Sequence, residues 1–349
     1  MNARILFITV IALTTPAFND SVITPLPAAE AEDAFQAARQ LNRGINLGNM
    51  LDAPREGAWG VRFDDSFPVL IRKAGFDHVR IPVRWSAHLD SPDGSSIDLT
   101  FMKRVRTVVD QCVNNDLRVV LNVHHFEEIH TAPLRYADTL QNIWACISRD
   151  FFGYSRHLYF ELLNEPHAQL TTERWNQIFP GILRTIRKRH PDRCVIIGPG
   201  EWNSHTELPA LQLPVDDRFL IATCHYYEPF EFTHQGAEWL QQSAPSTGRR
   251  FPATELEVNS IGNDFQTIAR WSQDNRRPVY IGEFGSYSRA GMSDRVYWTG
   301  LITQHARQHG FSWAYWEFCS TFGIYDPTEA RWHRMLLHQL VPHSKKASE

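Results

Sequence analysis

The chain lacks the features that would tie it to several large classes of protein. It has no run of like charges, and a formal charge of −4 with a pI of about 6.5 gives no electrostatic grip on nucleic acid or an anionic membrane. No CxxC occurs among the five scattered cysteines, Cys112, Cys146, Cys194, Cys224 and Cys319, so neither a disulfide framework nor a zinc knuckle is signalled. They read as small core residues, with one disulfide left open. His124, His125 and His130 invite a metal, but no HExxH accompanies them. Ser286 and Ser288 have no GxSxG elbow. No GxGxxG follows the first apolar run, which counts against a doubly wound dinucleotide-binding sheet, the alternative architecture. No metal, cofactor, nucleic acid, membrane or oligomeric partner is therefore implied. No repeat or low-complexity linker marks off a second domain.

Aromatic and apolar material is plentiful. Of 349 residues 43% are hydrophobic, including 11 Trp and 21 Phe, enough for one large core. At the start, Arg4 precedes an apolar stretch from Ile5 to Leu13 that is too short to span a bilayer. It reads as a secretory signal. The expected organisation is a signal and flexible lead-in over residues 1–31 and one barrel over 32–349, with the protein secreted or periplasmic.

From about residue 41 short apolar runs alternate with longer amphipathic ones. The runs are Gly44–Leu47, His78–Val83, Leu117–Val123, Leu158–Leu163, Cys194–Ile197, Phe219–Thr223, Val279–Ile281 and Phe311–Trp316. Several are continuous rather than alternating, as strands buried on both faces are. Helical spacing appears in Leu99–Asn115, in Thr172–His190 with Pro180 as an expected kink, and in Ser293–His309 before Gly310. The element after the fifth run is weak, with only a short turn of helix over Leu208–Leu211. Eight strands alternating with helices predict a (β/α)8 barrel.

A barrel gathers functional residues at the C-terminal ends of its strands. Here the apolar runs end in Arg80 and Pro82, His124-His125, Asn164-Glu165-Pro166, His225-Tyr226-Tyr227, Glu283 and Trp316-Glu317. Glu165 and Glu283 each close a buried strand, where an unpaired carboxylate is costly. Two carboxylates in different protonation states are what glycoside cleavage needs, one to protonate the leaving oxygen and one to attack the anomeric carbon.

The motifs Gly44-Ile45-Asn46-Leu47-Gly48-Asn49, Leu163-Asn164-Glu165-Pro166, His225-Tyr226-Tyr227, Ile281-Gly282-Glu283-Phe284-Gly285 and Trp313-Ala314-Tyr315-Trp316-Glu317-Phe318, with Arg80 and His124-His125, resemble those of family 5 glycoside hydrolases of the cellulase clan. The likeness runs from about residue 41 to 341. It implies a retaining endo-β-1,4-glucanase without cofactor, acting on a β-linked polysaccharide or oligosaccharide. Glu283 would be the ionised nucleophile, held by Arg80 and Tyr227. Glu165 would be the acid/base, its pKa raised by burial and by its anionic neighbour, and oriented by His225. Asn164 would meet the sugar 2-hydroxyl, His124 the same sugar ring or Arg80, and His125 the next sugar along. Trp316 would floor the cleaved site, with Trp202, Phe230 and Trp239 as further platforms and Asn49, Asp52 and Glu317 as hydroxyl partners. Trp175, Trp271 and Trp298 fall at helical spacings and read as packing. A β-mannanase or dual enzyme shares these motifs. An exo-glucosidase and a non-catalytic glycan-binding barrel are the remaining alternatives.

Overall fold

The computed structural model describes residues 33–342, which belong to a single compact unit. The signal segment lies outside the described residues. Eight parallel strands close on themselves: β1 Arg43–Asn46, β2 His78–Ile81, β3 Arg118–Asn122, β4 Leu158–Glu161, β5 Val195–Ile197, β6 Leu220–His225, β7 Val279–Glu283 and β8 Ser312–Tyr315. β8 pairs with β1 through Gly44 opposite Ala314 and completes a (β/α)8 barrel. Among the described residues no helix is long and apolar enough to cross a membrane.

Helices cover the strands on the outside. They are α1 Ala34–Leu41, α2 Phe67–Ala74, α3 Leu99–Asn114, α4 Pro133–Asp150, α5 Thr172–Arg187, α6 Glu255–Asn275, α7 Met292–His309 and α8 Arg334–Leu340. α3 buries Phe101, Met102, Val105, Val108, Val109 and Cys112, which recur every three or four residues as one helical face requires. Between β5 and β6 the outer layer thins to a 3₁₀ segment, His205–Ala210, in keeping with the weak pattern there. α1 seals the barrel instead of flanking it. Its Ala34, Ala37, Ala38 and Leu41 pack with Val120, Tyr159, Ile196, Ile221, Tyr280 and Ala314 from the strands, and Tyr159 donates to the Ala37 carbonyl.

Every strand limit falls within two residues of its apolar run. β6 continues through Cys224 and His225, so a histidine ends a wholly buried strand. α5 stays continuous through Pro180 and is capped by Thr171, whose hydroxyl accepts from the Arg174 amide. The Thr172 hydroxyl is engaged elsewhere, donating to Glu207 at 2.6 Å. All five cysteines are buried and none forms a disulfide.

Candidate active site

Arg80, in the middle of β2, organises the site. It is fully buried and every hydrogen bond it makes there is to a residue from another strand or strand end. Nε and Nη2 fork onto Glu161 of β4 at 2.7 and 2.6 Å. Nη1 reaches Glu283 at 2.6 Å and Asn46 Oδ1 at 2.9 Å, and Nη2 also reaches Asn164 Oδ1 at 2.7 Å. A guanidinium suits this position because its planar donors can meet several fixed acceptors at once. Glu161 was not picked out from the sequence. The signal was an acid inside one apolar run and an arginine inside another, since buried charges need partners.

Glu283 ends β7 with one oxygen on Arg80 and the other accepting from the Tyr227 hydroxyl at 2.9 Å. Glu165 follows β4 in a left-handed conformation, φ 46°, which turns its side chain back over the barrel mouth. His225 Nδ1 lies 2.7 Å from one Glu165 oxygen and 3.7 Å from Glu283. One oxygen of each acid and a ring nitrogen of His225 fall within 4.8 Å of one another. The strand ends thus bring Arg80, Asn164, Glu165, His225, Tyr227 and Glu283 together.

The expected directions of the two acids are reversed. Burial pushes the Glu165 carboxyl up, but the hydrogen bond and charge of His225, with Arg80, more than offset it and hold Glu165 below its ordinary value. At Glu283 burial outweighs the charges of His225 and Arg80 and raises the carboxyl. The difference follows the geometry, since His225 Nδ1 lies closer to Glu165 than to Glu283.

The surrounding residues separate into two groups. His124 is buried, accepts at Nδ1 from Asn122 at 3.1 Å and lies parallel to Trp316 with ring centroids 5.6 Å apart. Trp316 can approach because position 48 is glycine, where a Cβ would come within 2.9 Å of the indole. Half-exposed His125 meets the edge of Trp59, an exposed indole that the sequence reading missed because its loop has no periodicity. Trp202 is 52% exposed and stacks on His167, whose Nδ1 is 2.7 Å from the Glu165 carbonyl. Phe230 stacks on His234, and Trp239, 51% exposed, meets Tyr287 and Phe322 beside Tyr227. Trp175, Trp271 and Trp298 are buried in the core.

Two expected hydroxyl partners are otherwise engaged. Glu317 is 0% exposed and its oxygens accept from the amides of Cys319, Ser320 and Phe322 at 2.8–3.1 Å. It shapes the loop after β8 and has no face toward a sugar. Asp52 is also fully buried and accepts from the amides of Asn49 and Met50, which turns Asn49 into a left-handed conformation, φ 65°. Burial raises these two carboxyls to about 7 and about 6 respectively. Asn49 remains half-buried at the rim.

Comparison with known proteins agrees with the geometry. The profile of the family Cellulase (glycosyl hydrolase family 5) matches residues 42–321. Endoglucanase H of Acetivibrio thermocellus is 35% identical over 310 residues, 89% of this chain. The aligned region is 33% of that protein's length, and 38% of the length of cellulase/esterase CelE from the same organism, so the chain spans about a third of these relatives. A solved hyperthermophilic endo-β-1,4-glucanase in complex with substrate is 42% identical, with a TM-score of 0.87 over 89% of this chain and 99% of that one. Thermotoga maritima Cel5A in complex with mannotriose is 41% identical, with a TM-score of 0.86 over 88% of this chain and 100% of that one.

Proposed function

The chain belongs to glycosyl hydrolase family 5, and from that premise we propose that it hydrolyses internal β-1,4 bonds of a glucan by double displacement with retention. One observation carries the reading: the carboxylates of Glu165 and Glu283 approach within 4.8 Å around His225. Retaining enzymes hold their two carboxyl groups about 5–5.5 Å apart, whereas inverting ones leave room for a water between them.

In the first step a Glu283 oxygen attacks the anomeric carbon while Glu165 protonates the glycosidic oxygen. The C–O bond breaks, the leaving sugar departs as an alcohol, and a glycosyl ester remains on Glu283. In the second step Glu165 takes a proton from water, the water oxygen attacks the same carbon and Glu283 is released. Arg80 and Tyr227 fix both oxygens of Glu283, so little reorganisation is left for the attack. Arg80 also holds Asn164 Oδ1, which turns the side-chain Nδ2–H toward the sugar 2-hydroxyl. Trp316 offers an apolar face beneath the cleaved ring, and Trp202 and Trp239 offer faces on either side. With its amino-terminal signal reading, the protein acts outside the cytoplasm, secreted or periplasmic.

The similarity to Cel5A, solved with mannotriose, supports a second reading in which β-1,4-mannan backbones are also accepted. One experiment tests both readings. Carboxymethylcellulose, barley β-glucan, glucomannan and mannan are digested, and the anomer formed first is read by NMR. Internal cleavage of the glucans with the β-anomer appearing first is expected. Early α-anomer would remove the double-displacement mechanism, and activity on mannan alone would remove the glucanase.

A further inference from the structure

Behind the acid lies a buried amide whose contact is enclosed on every side. Asn203, on the turn after β5, is 0% exposed, and its Nδ2 lies 3.3 Å from His225 Nε2. Its Oδ1 is buried without a hydrogen-bond partner, a costly condition for an amide oxygen unless another state of the site pairs it. Space for the contact comes from two glycines. A Cβ at position 198 would fall 2.2 Å from Asn203 Oδ1, and one at position 282 would fall 2.9 Å from His225 Nε2. Glu201, Trp202 and Asn203 in succession hold φ of 49°, 56° and 55°, a left-handed turn that side-chain-bearing residues seldom form. The Trp202 amide donates to the Pro166 carbonyl at 3.1 Å and ties this turn to the loop that carries Glu165.

We propose that Asn203 is a positioning residue that serves both protonation states of the Glu165–His225 pair by turning its amide over. Without the extra proton, Glu165 is a carboxylate and His225 is neutral with its hydrogen on Nδ1. The Nε2 lone pair then accepts from Asn203 Nδ2, the orientation seen here. With the proton present, either His225 is an imidazolium or Glu165 is protonated and donates to Nδ1. Both forms carry a hydrogen on Nε2, and both need an acceptor there. The unpaired Oδ1 supplies it once the amide turns. The amide thus follows the proton as Glu165 alternates between acid and base. The other titratable or charged groups near His225 are Glu283 at 3.7 Å, which is itself held by Arg80 and Tyr227, and His124, which interacts electrostatically with the His225 ring.

This inference rests on Glu165 being the acid/base. Asn203→Ala and Asn203→Asp are compared with wild type by the pH dependence of kcat/KM on a cello-oligosaccharide, after melting and circular dichroism establish folding. Asn203→Ala removes the partner of Nε2 in both states, but the charge-assisted bond from an imidazolium Nε2–H is the stronger of the two, so the alkaline limb moves down by up to about one pH unit. A carboxylate beside Nε2 favours it, so Asn203→Asp moves the same limb up by about one pH unit. On an activated aryl glycoside, whose departure needs no acid, formation of the glycosyl-enzyme stays within about threefold of wild type. If both variants fold and keep the wild-type limb, even with reduced rates, Asn203 only packs and the proposal is lost. Should Asn203→Ala not fold, the nearly isosteric Asn203→Asp carries the test alone. Failure of the parent reading looks different, since wild type itself would then give the inverted product.

Discussion

The two walls of the cleft carry one acid each and hold it in different ways. On one wall Glu283 is fastened at both oxygens by Arg80 and Tyr227, within a mesh that also takes in Glu161, Asn46 and Asn164, and its side chain is 6% exposed. On the other, Glu165 sits on a left-handed turn, is 23% exposed, and among the described residues has His225 as its one close side-chain partner, with the Asn164 amide at 3.4 Å. The difference matches the work proposed for each. A nucleophile must be aimed and gains from a rigid frame. An acid/base must lose and regain a proton, and an imidazole beside it can donate or accept where a guanidinium can only donate.

Removing each acid in turn should break this comparison most sharply. Glu283→Ala is expected to lower turnover by at least roughly 10⁴-fold on every substrate. Azide should restore part of it by forming an α-glycosyl azide; a β-glycosyl azide would exchange the roles of the walls. Glu165→Ala should cost about 10³-fold on cello-oligosaccharides but under about tenfold on glycosides with activated leaving groups in the first step. Equal losses on both kinds of substrate would deny Glu165 the part of acid.

A milder change asks whether the frame on the Glu283 wall works through shape or only through charge. Arg80→Lys keeps the positive charge but loses the fork onto Glu161 and cannot hold Glu283, Asn46 and Asn164 together. We expect about 10²-fold lower kcat with KM little changed, since the loss is in the aim of the nucleophile. A lysine variant as fast as wild type would show that charge alone suffices.

The barrel was legible because strands buried on both faces must be apolar throughout, and eight such runs recur between helical patterns. Glu165, Glu283, Arg80, His225 and Tyr227 were legible for a related reason. Polar residues where a buried strand ends are out of place unless they act together. Residues whose role depends on a turn were harder to see. Asp52 and Glu317 stand beside Asn49 and Trp316 in the chain and read as hydroxyl partners, yet both accept backbone amides and shape loops. No periodicity flags an acid folded back on its own backbone. Asn203 and Trp59 were missed likewise, because left-handed turns and irregular loops bring them to the cleft.

Glu317 also supplies a third buried carboxylate against which the two walls can be measured, and the smallest expected effect on turnover. It accepts three backbone amides, but burial and repulsion by Asp52 outweigh them and raise its carboxyl from 4.5 to about 7. The folded protein therefore keeps a proton that the unfolded chain releases. Its contribution to stability is fully present below pH 4.5 and falls away as the pH rises to 7, by up to about 3 kcal/mol. Glu317→Gln, neutral at every pH, should be less stable than wild type in acid, because its amide group faces backbone donors. That gap should narrow toward neutrality, with kcat within about threefold of wild type. Melting temperatures from pH 4 to pH 8 measure the gap. A constant offset would mean that Glu317 keeps its ordinary pKa in the folded protein, and a gap that widens with pH that its three amides hold it ionised.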